Sequence, residues 1–372
     1  MSKARELAEL GAAYDSGALS NRNMIINGAM QVAQRGTSST GLGASSGYFT
    51  VDRFAHNFSS TSGRLTSTQE SITDLPGFDK ALKIACTTAD TSLGASEYFT
   101  IAQSLEGSDV QRLKKGTSSA EKVTVSFYVK GNAAATYVFE LQDQSSREIS
   151  QQFSVTTSWN RVVLTFIADT SGAITNTNTY GLGFSFWLAG GSNFNSGNSS
   201  DLNTTWDAVG GTAGSRAAGI SNFFDSTSRT LFITGLQIEV GSEATPFEHR
   251  SFGDEHLRCQ RYFTKSYAYG TAIGATTSHG SIQTTFEENN QGAGYRENYG
   301  FKFPVQMRAT PTIVIYDSAG TSGKCNYYVG TSSSPARTLN VSSTNATCFG
   351  GYSDRATTIG GWAAQYTADA EL

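Results

Sequence analysis

The feature that most constrains this chain is a side-chain period of two. Lys122 to Lys130 reads KVTVSFYVK and sets Val123, Val125, Phe127 and Val129 on one side. Tyr137, Phe139 and Leu141 repeat the pattern, and Trp159 to Ala168, Leu182 to Leu188 (LGFSFWL) and Leu231 to Val240 (LFITGLQIEV) follow. Such alternation sends every second residue to a buried sheet face. No helical period separates the runs, so they read as strands of an antiparallel sandwich. Gly235 inside the last run marks a bulge. The earlier segment Asn23–Gly28 reads as an apolar strand that ends in a turn.

Composition agrees with an all-β chain. Charged residues are 16% of the 372, against a usual ~25%, while aromatics reach 11%. The aromatic content excludes a disordered body. A length of 372 residues suggests two or three domains at roughly 150 residues each. The net charge is −4 and Lys114-Lys115 is the adjacent basic pair of note, which argues against nucleic acid as a partner. No apolar run approaches the ~20 residues needed to span a bilayer, so membrane insertion is not expected. Met1–Glu6 lacks the apolar core of a secretory signal, so synthesis in a cytoplasm without general export is expected.

Four sections are expected along the chain. Residues 1–20 hold a short helix, capped by Ser2 and too short to stand alone in water, and a linker. Residues 21–250 form the main sandwich. Within it, the Gly-, Ser- and Asn-rich stretch 190–219 reads as a long excursion pinned by Trp206. Residues 251–264 suit one connecting helix, with Asp254 and Glu255 early and Arg258 and Arg261 late, as the helix dipole favours. Residues 265–372 are β-rich again, with Phe301–Val305 and Thr312–Asp317 as the clearest strands.

Catalytic chemistry finds little support. Glycoside hydrolysis needs two carboxylates roughly 5–9 Å apart. Glu287 and Glu288 are neighbours that a strand would send to opposite sides, and Asp143, Glu148, Asp201 and Asp207 read as mostly loop residues. The four histidines have no spaced Ser or Cys partner for a nucleophilic triad. Glu248-His249-Arg250 reads as a salt-bridge cluster, and Asp52-Arg53 as a partly buried ion pair. The four cysteines lack metal-ligand spacing and read as free thiols, with a Cys325–Cys348 pair as the alternative. No enzyme is expected, and no cofactor unless a structural ion.

Three segments together resemble bacteriophage tail-fibre and virion-appendage proteins of the marine or cyanobacterial type. They are Asn23–Gly36 (NMIINGAMQVAQRG) followed by Tyr48–Phe54 (YFTVDRF), then Ile233–Gly241 (ITGLQIEVG) running into Ala244–Arg250 (ATPFEHR), and Cys259–Phe263 (CQRYF) leading to Phe303–Pro311 (FPVQMRATP). The first two are also similar to the opening and closing strands of carbohydrate-binding-module jelly rolls. The resemblance implies a jelly-roll sandwich followed by a smaller β-sandwich. It implies a place in the virion, a homo-oligomer of three chains, and an N-terminal helix docked on other virion proteins. It also implies that a structural Ca²⁺, if present, takes Asn27, Asp52 and Glu239 as ligands.

For the ligand, flat aromatics among small polar residues suit host surface polysaccharide. Tyr327, Tyr328, Tyr352, Trp362 and Tyr366 are the candidate contacts in a receptor-facing C-terminal domain, the bland alternative being an ordinary Tyr-rich core. Trp187 is either core or exposed on the opposite strand face. The expected function is therefore a non-enzymatic tail fibre or appendage that binds host glycan. The alternatives are a capsid-decorating or tail-scaffolding protein with only virion partners, and then a polysaccharide depolymerase.

Overall fold

The computed structural model describes Lys3 and residues 21–209, 215–286, 296–329, 332–354 and 360–372. The expected N-terminal helix and Glu287-Glu288 lie outside the described residues. The chain forms two compact units. The first takes residues through Gln31, Ser38–Phe49 and Phe54–Ser251; the second takes Val32–Thr37, Thr50–Arg53 and Phe252–Leu372.

The first unit is a jelly-roll sandwich. One sheet orders β1 (Ser38–Leu42), β4 (Arg64–Ser71), β5 (Lys80–Thr88), β13 (Thr230–Val240), β7 (Val123–Gly131) and β10 (Asn160–Phe166). The other orders β12 (Asp207–Ala208), β9 (Arg147–Val155), β8 (Ala135–Asp143), β11 (Tyr180–Gly190), β6 (Tyr98–Glu106), β3 (Ala55–Ser59) and β2 (Gly47–Tyr48). Strands 5 through 8 alternate between the two sheets, which is how successive segments wrap a common core. The alternation read in the sequence builds that core. Phe127 of β7 packs on Phe139, Phe153 and Phe186 across the sandwich, and with Phe184 these rings stand 4.9–5.9 Å apart. Trp187 lies on the face of β11 opposite these rings and is nonetheless buried, because it packs under the loop residues Leu202, Ala217, Ala218 and Ile220. Gly235 takes φ 61° where the β13–β7 register shifts between Thr234 and Gln237, the expected bulge.

Asn23–Gly28 departs from expectation. It runs along β13 but forms no regular ladder, because side chains take over the backbone's partners. Asn23 Oδ1 accepts from Ile238 N at 3.1 Å while its Nδ2 donates to the Leu236 carbonyl at 3.0 Å. Gln103 serves both the N–H and the C=O of Ile26, at 3.0 and 2.9 Å. Glu248 accepts from Asn23 N at 2.8 Å and Arg250 donates to the Ile25 carbonyl at 3.0 Å, so the Glu-His-Arg cluster is structural. At Gly28 a Cβ would stand 2.2 Å from the Leu236 carbonyl oxygen. Gly28→Ala is expected to lower stability by about 1–3 kcal/mol, read as a shifted urea midpoint with unchanged slope.

The second unit centres on one long strand. β22 (Gly360–Asp369) pairs with β14 (Phe263–Lys265) and β17 (Thr312–Tyr316) over its second half. Its first half pairs with β15 (Ile282–Phe286) and β18 (Lys324–Val329), and β18 pairs onward to β19 (Ser332–Thr338). Asp369 has a partner in each of β14 and β17, so these flank β22 on opposite edges. A smaller sheet orders β16 (Arg296–Lys302), β21 (Cys348–Asp354) and β20 (Asn340–Thr344). Phe349 joins the two sheets through Tyr366, 4.9 Å away, and packs on Phe303 at 5.7 Å.

The helix α1 (Phe252–Gln260) is shorter than the expected 251–264. Phe263–Lys265 is claimed by pairing to Thr367–Asp369, and Tyr262 is buried at the join. Likewise Phe303–Val305 is not strand, since Pro304 cannot donate to a ladder. Cys86, Cys259, Cys325 and Cys348 are all free thiols.

Candidate functional site

The outer face of the seven-stranded sheet is polar where the inner face is aromatic. Val138, Glu140 and Gln142 of β8 face outward between core residues Phe139 and Leu141; Gly183, Ser185 and Trp187 do the same on β11. The excursion after β11 folds over part of this face. Leu202, Ala217, Ala218 and Ile220 form an apolar cluster with Val138 and Trp187. Trp206 pins the excursion as expected, donating from Nε1 to the Ile167 carbonyl at 2.8 Å.

Beneath the excursion, Arg216 joins two acids. Its Nε lies 2.8 Å from Glu140 Oε2 and 2.7 Å from Glu148 Oε2, and its guanidinium carbon sits 5.0 Å from the Trp187 ring centre. Both carboxylates are fully buried. Asn203 donates to Glu148 Oε1 at 2.9 Å. Burial, with repulsion from Glu140, pushes Glu148 up to about 7 against the pull of Arg216. So Glu148 does converge with another acid, contrary to the loop reading. The signal was Glu140, a charge at an outward position between the apolar Phe139 and Leu141.

A second buried cluster follows the core-facing row of β8. Asp143 there meets Lys115 Nζ at 3.2 Å, and Asp169 meets the same amine at 3.0 Å. Lys115 Nζ lies 3.2 Å from the Trp206 ring centre. Arg147 Nε holds Asp169 at 2.9 Å.

Between these anchors and the sheet's far edge lies a strip of small side chains. Ser185, Ala102 and Ala55 are cross-strand partners in one row over β11, β6 and β3. Gly183 and Ser104 form the row on one side; Trp187, Thr100 and Asn57 form the row on the other. Ser185, Ala102, Ala55, Ser104 and Asn57 are half-buried. Tyr98 on the same face of β6 packs on Trp187 at 5.6 Å and on Phe194 at 5.3 Å. Small side chains leave room for a ligand to lie flat on the sheet, with hydroxyl, amide and aromatic groups around it.

The candidate tyrosines of the second unit fare differently. Tyr327, Trp362 and Tyr366 are buried in its core, packed with residues such as Cys325, Phe349 and Met307, so they present no face to a sugar. The bland reading holds for these three. Tyr328 and Tyr352 are half-buried.

Two of the three candidate calcium ligands, Asp52 and Glu239, are engaged by protein groups. Asp52, in the second unit, accepts from Gln34 N at 2.8 Å and Gln34 Nε2 at 2.5 Å, and Arg35 stands 4.0 Å away. Glu239, in the first unit, accepts from the N and Oγ1 of Thr245 at 2.9 and 2.6 Å and from Gln237 at 2.9 Å. Asn27 is buried in the first unit with φ 64°. Among the described residues no three His, Cys, Asp or Glu side chains stand close enough to hold a metal ion.

Asp52 belongs to a network that the sequence hid. Where the sequence suggested an Asp52–Arg53 pair, Asp52 is held by Gln34. Arg53, wholly buried, ion-pairs with Glu371 and lies 3.5 Å over the Tyr262 ring. Arg35 meets Glu371 at 3.2 Å and Asp369 at 3.0 Å, and lies 3.7 Å over the Phe263 ring. Gln34 Nε2 also donates to the Phe263 carbonyl at 2.7 Å. Burial pushes both Asp52 and Glu371 up despite these arginines. The short segments Gln34-Arg35, Asp52-Arg53 and Tyr262-Phe263, far apart in sequence, meet in one buried cluster.

No protein-family model matches the sequence, and no curated protein matches it. Among solved structures the chain is similar to TmCBM61 in complex with β-1,4-galactotriose, at 10% identity and TM-score 0.29, covering 60% of this chain and 100% of that one. It is similar to the N-terminal cellulose-binding domain of the Cellulomonas fimi β-1,4-glucanase C at 13% identity and TM-score 0.27, over 51% of this chain and 90% of that one. It is also similar to the enzymatically active domain of bacteriophage CBA120 tailspike protein 4, at 10% identity and TM-score 0.28, over 59% of this chain and 21% of that one. These superpositions are partial, and the jelly-roll assignment stands on the strand order itself.

Proposed function

We propose that this chain is a non-enzymatic phage virion protein, a tail fibre or tail appendage, that binds host surface glycan. The observation that carries the glycan reading is the strip of Ser185, Ala102 and Ala55 across three strands, bordered by Tyr98, Asn57 and Ser104. A sugar ring laid on it sets C–H groups against the small side chains and the tyrosine, and hydroxyls against Ser185, Ser104 and Asn57. The passive reading is supported by the acids of the same sheet. Glu140 and Glu148 are buried and share Arg216, and Asp143 and Asp169 share Lys115. None of these four is poised across an open groove for acid–base work on a glycosidic bond.

The virion role rests on the three sequence segments that resemble phage appendage proteins. One strip of this kind gives weak binding, and three chains on one particle raise avidity by roughly 10²–10⁴. The test is the intact chain on an array of bacterial surface polysaccharides, together with Ser185→Trp and Ala102→Trp. Both variants fill the strip, and each is expected to weaken binding at least tenfold while leaving the urea midpoint within about 0.5 kcal/mol of the parent. Binding unchanged by both variants removes the strip from the reading. No binding to any glycan favours the scaffolding alternative, and release of new reducing ends favours a depolymerase.

A further inference from the structure

The Lys115 cluster contains more than an ordinary ion pair. The side chains of Lys115, Asp143 and Asp169 are 2%, 0% and 3% exposed. The two oxygens of Asp143 have different surroundings. Oδ1 accepts two backbone hydrogen bonds, from Ser145 N at 2.9 Å and Arg147 N at 3.1 Å. Oδ2 accepts no well-formed hydrogen bond and faces the Lys115 amine at 3.2 Å. Arg147 Nε donates to Asp169 Oδ2, the oxygen that also meets the amine, and Ser171 N donates to Oδ1 at 3.0 Å. Gly172 covers the pair closely: a Cβ there would stand 2.5 Å from Asp143 Oδ2 and 2.6 Å from Asp169 Oδ2. The Trp206 indole closes the amine's other side.

We propose that Lys115 and Asp143 are joined by an intramolecular isopeptide bond that forms once the first unit has folded. In the dry cluster the ammonium hands one proton to Asp143 Oδ2, leaving a neutral amine beside a neutral carboxylic acid, since a separated buried charge pair is costly. The Nζ lone pair attacks Cγ and forms the C–N bond. The negative charge that develops on Oδ1 is received by the Ser145 and Arg147 N–H groups, placed as an oxyanion hole. Asp169 takes a second proton from Nζ and returns it to the Oδ2 hydroxyl. The C–Oδ2 bond breaks and one water leaves, so ammonium plus carboxylate becomes amide plus water with no oxidant and no change in net charge. Asp169 Oδ2 stands 3.0 Å from the same amine, which places it to carry the proton, and its held ionisation makes it the poorer electrophile. Burial alone would raise its pKa, but the hydrogen bonds from Arg147, Ser171 and Lys115 hold it down to about 2. Burial also lowers the Lys115 pKa, which favours the neutral amine.

The proposal does not depend on the glycan reading, and one measurement on the parent chain decides it. The intact mass of the denatured protein is expected to fall short of the sequence mass by one water. Proteolysis should then yield a branched peptide joining the Lys115 and Asp143 segments. Lys115→Arg keeps the charge without the nucleophile and should restore the full sequence mass; Asp169→Asn should leave the chain unlinked or only partly linked. A parent chain at full sequence mass overturns the proposal. So does a branched peptide through any carboxylate other than Asp143, or a water loss that survives Lys115→Arg.

Discussion

Glu371→Ala is expected to destabilise the second unit by about 3–5 kcal/mol, because it strips the shared carboxylate from two buried cations. Arg53 has Glu371 as its ion-pair partner, and Arg35 reaches the same side chain at 3.2 Å. Neither guanidinium can move to water without abandoning the ring it covers, Tyr262 or Phe263. The expected signature is a large drop in the urea midpoint of that unit, with the first unit's transition unmoved. The double variant Arg53→Met with Glu371→Leu is expected to recover part of the loss, because it removes Arg53 together with its partner and leaves Arg35 paired to Asp369. A Glu371→Ala protein within about 0.5 kcal/mol of the parent would show that the network contributes nothing net.

Arg216→Ala is expected to cost the first unit about 3 kcal/mol or more near neutral pH, since Glu140 and Glu148 are left facing each other without their cation. The loss should shrink in acid. In the parent, Glu148 sits at about 7 when folded against an ordinary 4.5, so folding takes up a proton between those values. Its contribution therefore favours the fold most below the ordinary carboxylate range and declines as pH rises through about 7. Stability of the first unit measured at pH 5.5 and pH 8 should show this slope, and Glu148→Gln should flatten it. A slope of opposite sign, or one unchanged by Glu148→Gln, would refute the assignment.

The sequence revealed the sandwich because period two is a backbone property: wherever Phe, Val and Leu alternated, as in β7, β8 and β11, the strand is present. It misread places where side chains replace the ladder. Asn23 and Gln103 hold Asn23–Gly28 through amide contacts that no periodicity reports. It also misread aromatics by context. Tyr327, Trp362 and Tyr366 sit among small polar residues in the chain, yet those neighbours point away while the rings fill the core. The buried charge clusters were invisible for another reason. Arg216 and Glu140 are 76 residues apart, and Arg53 and Glu371 are 318 apart, so only the fold brings them together. Gln34-Arg35, Asp52-Arg53 and Tyr262-Phe263 supply both cations, both rings and one acid of a single network, while Asp369 and Glu371 supply the others.

That the second unit recruits Val32–Thr37 and Thr50–Arg53 bears on how such a protein can be reshaped. A unit that is contiguous in the chain can be exchanged at a single recombination junction. Here a junction near residue 252 would transplant Glu371 and Tyr262 without Arg35 and Arg53, leaving an acid and a bare ring in the interior of the hybrid. Viable chimaeras are therefore expected to carry Val32–Thr37 and Thr50–Arg53 along with the new end, so that all three pieces move together.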